Sequence, residues 1–242
     1  MQVKKNLSAT ALKYIVILTM TIDHIAYCFV PFGTPLFYIM RSVGRLTAPT
    51  MSFFIAEGVC HTHSKQKYLL RMTIFALISQ PFYFIVDFNR LPQSALEFCT
   101  NLNVMFNFSA TILLLILLTQ KNFSVIYAFA IAVCVGVSSV SDWSMIIPVW
   151  TAIFYFFRKN NKVKTILFII ISIAFTTIKN INFLSSVTFQ YAVILTPLFL
   201  IFFYNGERQK TSSTLMKKIN KWVFYLYYPF HLAVIAFIVL IA

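Results

Sequence analysis

The chain has 242 residues, of which 60% are apolar, 17% aromatic and only 11% charged, with a mean hydropathy of +0.80. A soluble domain carries about 25% charged residues, so a soluble fold is excluded, and five Gly and eight Pro exclude collagen-like and disordered classes. Twenty Lys and Arg against six Asp and Glu give a formal net charge of +14, which membrane topology explains better than a nucleic-acid partner.

The apolar runs lack the alternation of a lipid-facing β-barrel, which leaves an all-α integral membrane protein, a polytopic bundle. Stretches of roughly 17 to 25 apolar residues suffice to cross a bilayer, and about nine are found. The first, 10–30, carries Lys13, Asp23 and His24. With polar residues inside it and no small-residue cleavage pattern behind it, it reads as a retained helix rather than a signal peptide. The second, 36–60, carries Arg41, Arg45 and Glu57, and the third, 68–87, follows a basic patch of His61, His63, Lys65, Lys67 and Arg71. The fourth, 101–119, places Asn103, Asn107 and Thr111 at four-residue spacing, a stripe that faces helices or water rather than lipid. The next four are 123–140, 143–157, 163–178 and 187–204, of which the sixth and seventh spans are short enough to be tilted or re-entrant. The ninth, 221–241, carries His231. No repeat or soluble segment interrupts this series, so one transmembrane domain is expected over 1–242.

The loops test the count independently of hydropathy. Lys4 and Lys5 precede the first span, the loop after it has no base, and Lys65 and Lys67 precede the third. Arg90 stands with Asp87 and Glu97 after the third, Lys121 follows the fourth, and Asp142 follows the fifth without a base. Arg158, Lys159, Lys162 and Lys164 follow the sixth, Lys179 the seventh, and Arg208, Lys210, Lys217, Lys218 and Lys221 the eighth. Alternate loops are basic, which by the positive-inside rule puts the N-terminus in the cytoplasm and the C-terminus outside, in a plasma or inner membrane. Cys28, Cys60, Cys99 and Cys134 have no metal-ligand spacing, and no metal is expected. Cys28 and Cys99 both fall on the external side, where two packed thiols are favoured over a disulfide.

Ionisable groups at bilayer depth mark either function or a buried ion pair. Lys13 and His24, eleven residues apart, share a helix face and are separated by roughly 16 Å along the axis. Arg41 and Arg45 lie one turn apart, roughly 8 and 14 Å from the external surface, and His231 roughly 15 Å from the cytoplasmic one. His24, Arg45 and His231 are therefore expected at similar depth. A single intramembrane histidine is often only a hydrogen-bonding link between helices, but this combination favours a functional site. Asp23 is 100° around the helix from His24, so it is expected to pair with Arg41 or Arg45 rather than orient the imidazole. Glu57 and His61 form an i,i+4 pair that suits an interfacial contact or a ligand contact equally. The basic patch reads either as an orientation signal touching anionic headgroups or as a phosphate-binding entrance. No phosphate loop, dinucleotide fingerprint, zinc-protease or serine-hydrolase motif is present.

Leu12-Lys13 with Met20 to Ile25, Arg41 to Leu46 with Pro49, and Phe53-Phe54 through Glu57-Gly58 to His61-Thr62 resemble the TraX family. So do Tyr68 to Arg71, Phe75 to Gln80, Leu102-Asn103-Val104, and the run from Lys221 through Tyr225, Tyr228, Pro229 and His231 to Leu232. The middle of the chain, about 120–215, adds little beyond Asp142. TraX is known for N-terminal acetylation of conjugative pilin and belongs with the transmembrane acyltransferases, which use a basic residue, ten residues and a histidine on the first helix. Lys13 and His24 are similar to that pattern. Arg41-x-x-x-Arg45 departs from the Arg-x-x-Arg motif usual there.

The resemblance implies an acetyltransferase that takes acetyl-CoA from the cytoplasm and delivers the acetyl group to an amine or hydroxyl outside, on a pilin-like protein or a glycan. In that reading His24, neutral, is the general base or transient nucleophile, while Arg45 with Arg41 holds carbonyl or phosphate oxygens. Asp23 and His231 complete the candidate catalytic set, with Tyr228 beside His231 as an orienting or cosubstrate contact. Lys13, His61 and Arg71 would hold the CoA phosphates. A proton- or anion-coupled transporter and a non-catalytic pilus assembly factor are the alternatives. A homo-oligomer is compatible with all three.

Overall fold

The computed structural model describes residues 7–120, 124–179, 188–207 and 213–241; Lys4, Lys5, Lys121, Arg208 and Lys210 of the charge pattern lie outside them. Eleven α-helices are described: α1 Ala9–Phe29, α2 Pro35–Gly44, α3 Thr47–His61, α4 Lys65–Phe88, α5 Ala95–Thr100, α6 Val104–Leu118, α7 Val125–Ser139, α8 Ile146–Phe156, α9 Asn161–Lys179, α10 Thr196–Phe203 and α11 Thr214–Ile241. A 3-10 helix, Thr188–Leu195, leads into α10. Among the described residues the only strand-like pairings are two isolated bridges, Leu7 with Tyr204 and Leu102 with Ser141. Four helices are long and apolar enough to cross a membrane: Ala9–Phe29, Lys65–Phe88, Asn161–Lys179 and Ile219–Ile241 within α11.

Several predicted spans are redrawn. The second, 36–60, is two helices, because Pro49 has no N–H to offer the Arg45 carbonyl and Leu46 N–H turns back to Val43 instead, at 3.3 Å. The fourth starts late, at Val104, because the Asn103 side chain caps α6 by accepting from Met105 N–H at 3.0 Å. The sixth starts at Ile146, since Trp143 and Ser144 take left-handed φ of 63° and 48°. The seventh is no short element: α9 runs 19 residues. The eighth is half 3-10 helix, with Pro197 opening the α-helical part.

The chain divides into two compact units. The first comprises Met1–Met51 and Lys159–Tyr227. Ser8 caps α1 and Thr34 caps α2, α1 packs along α2, and the 3-10 helix packs on α2, α9 and α10. Tyr191 on that 3-10 helix is tied to Thr177 of α9 at 2.9 Å.

The second unit comprises Ser52–Arg158 and Tyr228–Ala242 and is built around α6, which contacts α4, α7 and α8. Asn103, Asn107 and Thr111 are fully buried, so the stripe does face protein. Asn103 Nδ2 donates to Ala76 O and Gln80 Oε1, both at 2.8 Å, and Asn107 Nδ2 donates to Asp142 O at 3.0 Å and Ser144 O at 2.8 Å. Buried polar groups in an apolar surrounding need such partners. They fix α6 against α4 and hold the 142–144 turn in its left-handed shape. No disulfide joins the cysteines, and Cys99 is exposed rather than packed.

Candidate functional site

The site starts from a close helix crossing in the first unit. A Cβ placed on Gly44 would lie 2.3 Å from both Cβ and Oδ1 of Asp23 and 2.4 Å from its Cγ. Only the missing side chain lets α2 come this near to α1. Asp23 is 8% exposed, Arg45 9%.

Arg41 Nη1 donates to Asp23 Oδ2 at 2.8 Å and Arg45 Nη2 donates to the same oxygen at 2.6 Å. The expectation that Asp23 pairs with one arginine is corrected: it pairs with both. Arg45 follows the last residue of α2 but stays helical, its N–H bonded to Arg41 O at 3.0 Å, so the two side chains remain on one face across the helix break. Asp23 Oδ1 is buried without a hydrogen bond among the described residues. One carboxylate facing two permanent cations leaves the cluster with one net positive charge, in surroundings where water does little to screen it.

Aromatic rings pack against the guanidiniums. The Arg41 guanidinium carbon lies 5.2 Å from the Tyr27 ring centre, 5.9 Å from Phe37 and 5.4 Å from Phe189, and that of Arg45 lies 5.7 Å from Phe189. Phe189 was absent from the sequence-derived set because a phenylalanine among 27 carries no pattern of its own. Gly44 did carry a signal: a lone glycine between two arginines inside a helical run marks a close approach.

His24, half-buried, sits beside this cluster and within electrostatic reach of Asp23, Arg41 and Arg45. Its Nδ1 is 3.1 Å from Met20 O, one turn back. A carbonyl only accepts, so in the neutral ring Nδ1 carries the proton and Nε2 holds the basic lone pair. Asp23 therefore does not fix this tautomer, as its position around the helix implied. Lys13 is also half-buried, with Nζ 5.4 Å from the Phe224 ring centre, while Thr21 and Tyr227 share a 2.7 Å hydrogen bond.

The remaining sequence-derived residues belong to the second unit. His61 is exposed, with Nδ1 2.9 Å from Glu57 O and 3.7 Å from its carboxylate, a helix-surface contact. Arg71 is half-buried on α4. Tyr228 and His231 are buried on α11 with ring centres 5.4 Å apart. Among the described residues no group of three His, Cys, Asp or Glu could hold a metal.

The family model described as TraX protein matches residues 8–239. A protein of Dichelobacter nodosus, the probable fimbrial assembly protein FimC of serogroup H1, is 28% identical over 95% of this chain and 95% of its own. No solved structure matches the chain.

Proposed function

The chain belongs to the TraX family, and from that membership and the arginine pair we propose that it is a membrane acetyltransferase, moving an acetyl group from cytoplasmic acetyl-CoA to an external amine or hydroxyl. The acceptor is a pilin-like protein or a glycan. The observation that carries this reading is the convergence of Arg41 and Arg45 on one carboxylate oxygen beside His24, which leaves a surplus positive charge next to a base.

Acyl transfer needs both. The acceptor nitrogen or oxygen attacks the thioester carbonyl carbon, forming the new C–N or C–O bond, and its proton passes to His24 Nε2. The negative charge that develops on the carbonyl oxygen is met by the Arg41 and Arg45 donors. As the tetrahedral intermediate collapses the C–S bond breaks and His24 returns the proton to the departing CoA sulfur. Lys13, roughly 16 Å along α1 from His24, would hold CoA phosphates near the cytoplasmic surface. In this reading the chain forms one membrane domain of about nine spans, N-terminus inside, in the plasma or inner membrane.

The test is CoA release from radiolabelled acetyl-CoA by protein purified in detergent. His24→Ala is expected to lose about 10²- to 10⁴-fold in turnover while still binding CoA. Equal turnover in wild type and His24→Ala would sink the reading. The name of the Dichelobacter relative, a probable fimbrial assembly protein, favours a second reading, a non-catalytic assembly factor, in which His24→Ala leaves pilus formation intact.

A further inference from the structure

We infer that Phe189 is the positioning residue of the arginine pair: its ring holds the Arg41 and Arg45 guanidiniums side by side, so that an oxyanion meets one seat rather than two separate cations. Phe189 sits 5.4 Å from one guanidinium carbon and 5.7 Å from the other, is 8% exposed, and among the described residues is a ring that both guanidiniums contact. As part of a transferase this inference rests on the proposed function; as a clamp on two cations it does not.

The physical need is plain. Two guanidiniums one turn apart repel, and a single carboxylate oxygen, at 2.8 and 2.6 Å, neutralises only one of them. An aromatic face carries negative quadrupole density and offsets part of the remaining repulsion without taking up an N–H donor. Carboxylates compete with an incoming oxyanion for the same donors, whereas a ring does not. A second acid at this position would cancel the surplus charge, whereas an aliphatic side chain would offer the guanidiniums no face of negative density.

Local structure holds the ring in place. Phe37 stands edge-on to Phe189 at 5.9 Å and 86°, and Tyr38 lies 6.3 Å away. The segment that carries Phe189 is a 3-10 helix of eight residues, longer than the three or four residues at which most such helices stop. It is pinned to α9 by Tyr191 with Thr177 at 2.9 Å and anchored by Val193, 1% exposed.

The experiment replaces Phe189 by 4-fluoro-, 3,5-difluoro- and 3,4,5-trifluorophenylalanine in the full-length protein. Fluorination strips negative density from the ring face while leaving its shape nearly unchanged and making it more hydrophobic. Two quantities are read, the melting temperature of the ligand-free protein in detergent and the kcat for acetyl transfer beside the Kd for CoA. A desolvated cation–π contact is worth up to about thirty-fold in an equilibrium constant, so the trifluoro ring should lower Tm by roughly 5 °C, in steps along the series. The kcat for acetyl transfer should fall roughly tenfold with the Kd for CoA unchanged, because the pair meets the oxyanion and not the CoA phosphates. The Tm slope should vanish in the neutral variant Asp23→Asn with Arg41→Gln and Arg45→Gln. A Tm that stays flat or rises with fluorine content, as apolar packing alone predicts, overturns the clamp. A falling Tm with unchanged kcat keeps the clamp and removes the oxyanion from its seat. If wild-type protein transfers no acetyl group, the transferase reading fails and the Tm slope still decides the role of Phe189.

Discussion

Gly44→Ala tests the helix crossing on which the site depends. The added methyl would lie 2.3 Å from Asp23 Cβ, against an ordinary carbon contact of about 3.5–4.0 Å, so α1 and α2 must part by more than about 1 Å. The Arg45 and Arg41 bonds to Asp23, now 2.6 and 2.8 Å, would then pass beyond hydrogen-bond length, roughly 3.5 Å. Overpacking costs about 1–3 kcal/mol and opening a buried ion pair about 3–5 kcal/mol when broken outright, while alanine returns about 1 kcal/mol of helix propensity. A net loss of about 4 kcal/mol follows, a fall in Tm on the order of 10 °C. The assay is thermal unfolding in one detergent beside Gly136→Ala, where nothing lies within 4 Å of the new methyl and alanine should be neutral or stabilising by about 1 kcal/mol. Asp23→Ala should not rescue Gly44→Ala, because the Asp23 Cβ is itself one of the clashing atoms. The reasoning is refuted if Gly44→Ala melts within a degree or two of wild type, as Gly136→Ala should.

Asp23→Asn removes the charge that both guanidiniums face, Arg45 buried and Arg41 half-buried, and should lose about 3–5 kcal/mol, whereas Arg41→Gln leaves the balanced Asp23–Arg45 pair and should cost less; the opposite order of melting temperatures would exclude the shared-oxygen account. Asn103→Ala removes the α6 cap and leaves Gln80 Oε1 without its Asn103 Nδ2 donor, a loss of about 2–4 kcal/mol that chemical unfolding would read, and a loss under about 1 kcal/mol would contradict it. At the Arg90–Glu97 pair, hydrogen bonds from Arg90 and from Gln93 N–H hold the Glu97 carboxyl below its ordinary range. A depressed carboxylate stabilises the fold above its unfolded pKa and loses that contribution as pH falls through the folded value. Amide exchange across 90–97 should therefore accelerate below the usual carboxylate range, and Glu97→Gln should abolish that pH dependence.

Much of the site was legible because charge in an apolar sequence is conspicuous. Lys13, Asp23, His24, Arg41 and Arg45 stand out in a chain with 11% charged residues, and helical spacing separated Asp23 from His24 by angle before any contact was known. The stripe of Asn103, Asn107 and Thr111 reads from the sequence as facing helices or water rather than lipid, and in the structure protein covers it. The break of the second span is not legible in its hydropathy, because apolar residues resume at Leu46 directly after Arg45 and Pro49, the third residue of α3, is also tolerated in the first turn of a helix. The left-handed turn at Trp143 and Ser144 was also missed, since neither residue type announces positive φ; Asn107, distant in sequence, holds it there.

The sequence by itself determined the all-helical class, the helices in outline and the charged residues from which a site could be made, because hydropathy, periodicity and charge are properties of short stretches of chain. Only the tertiary structure decided that Asp23 takes both arginines on one oxygen, that Gly44 must be bare to allow it, and that Phe189 is the ring over the pair. Those outcomes depend on the register in which distant helices pack, where a shift of about an ångström separates a hydrogen bond from a clash, and no local pattern encodes distances of that size.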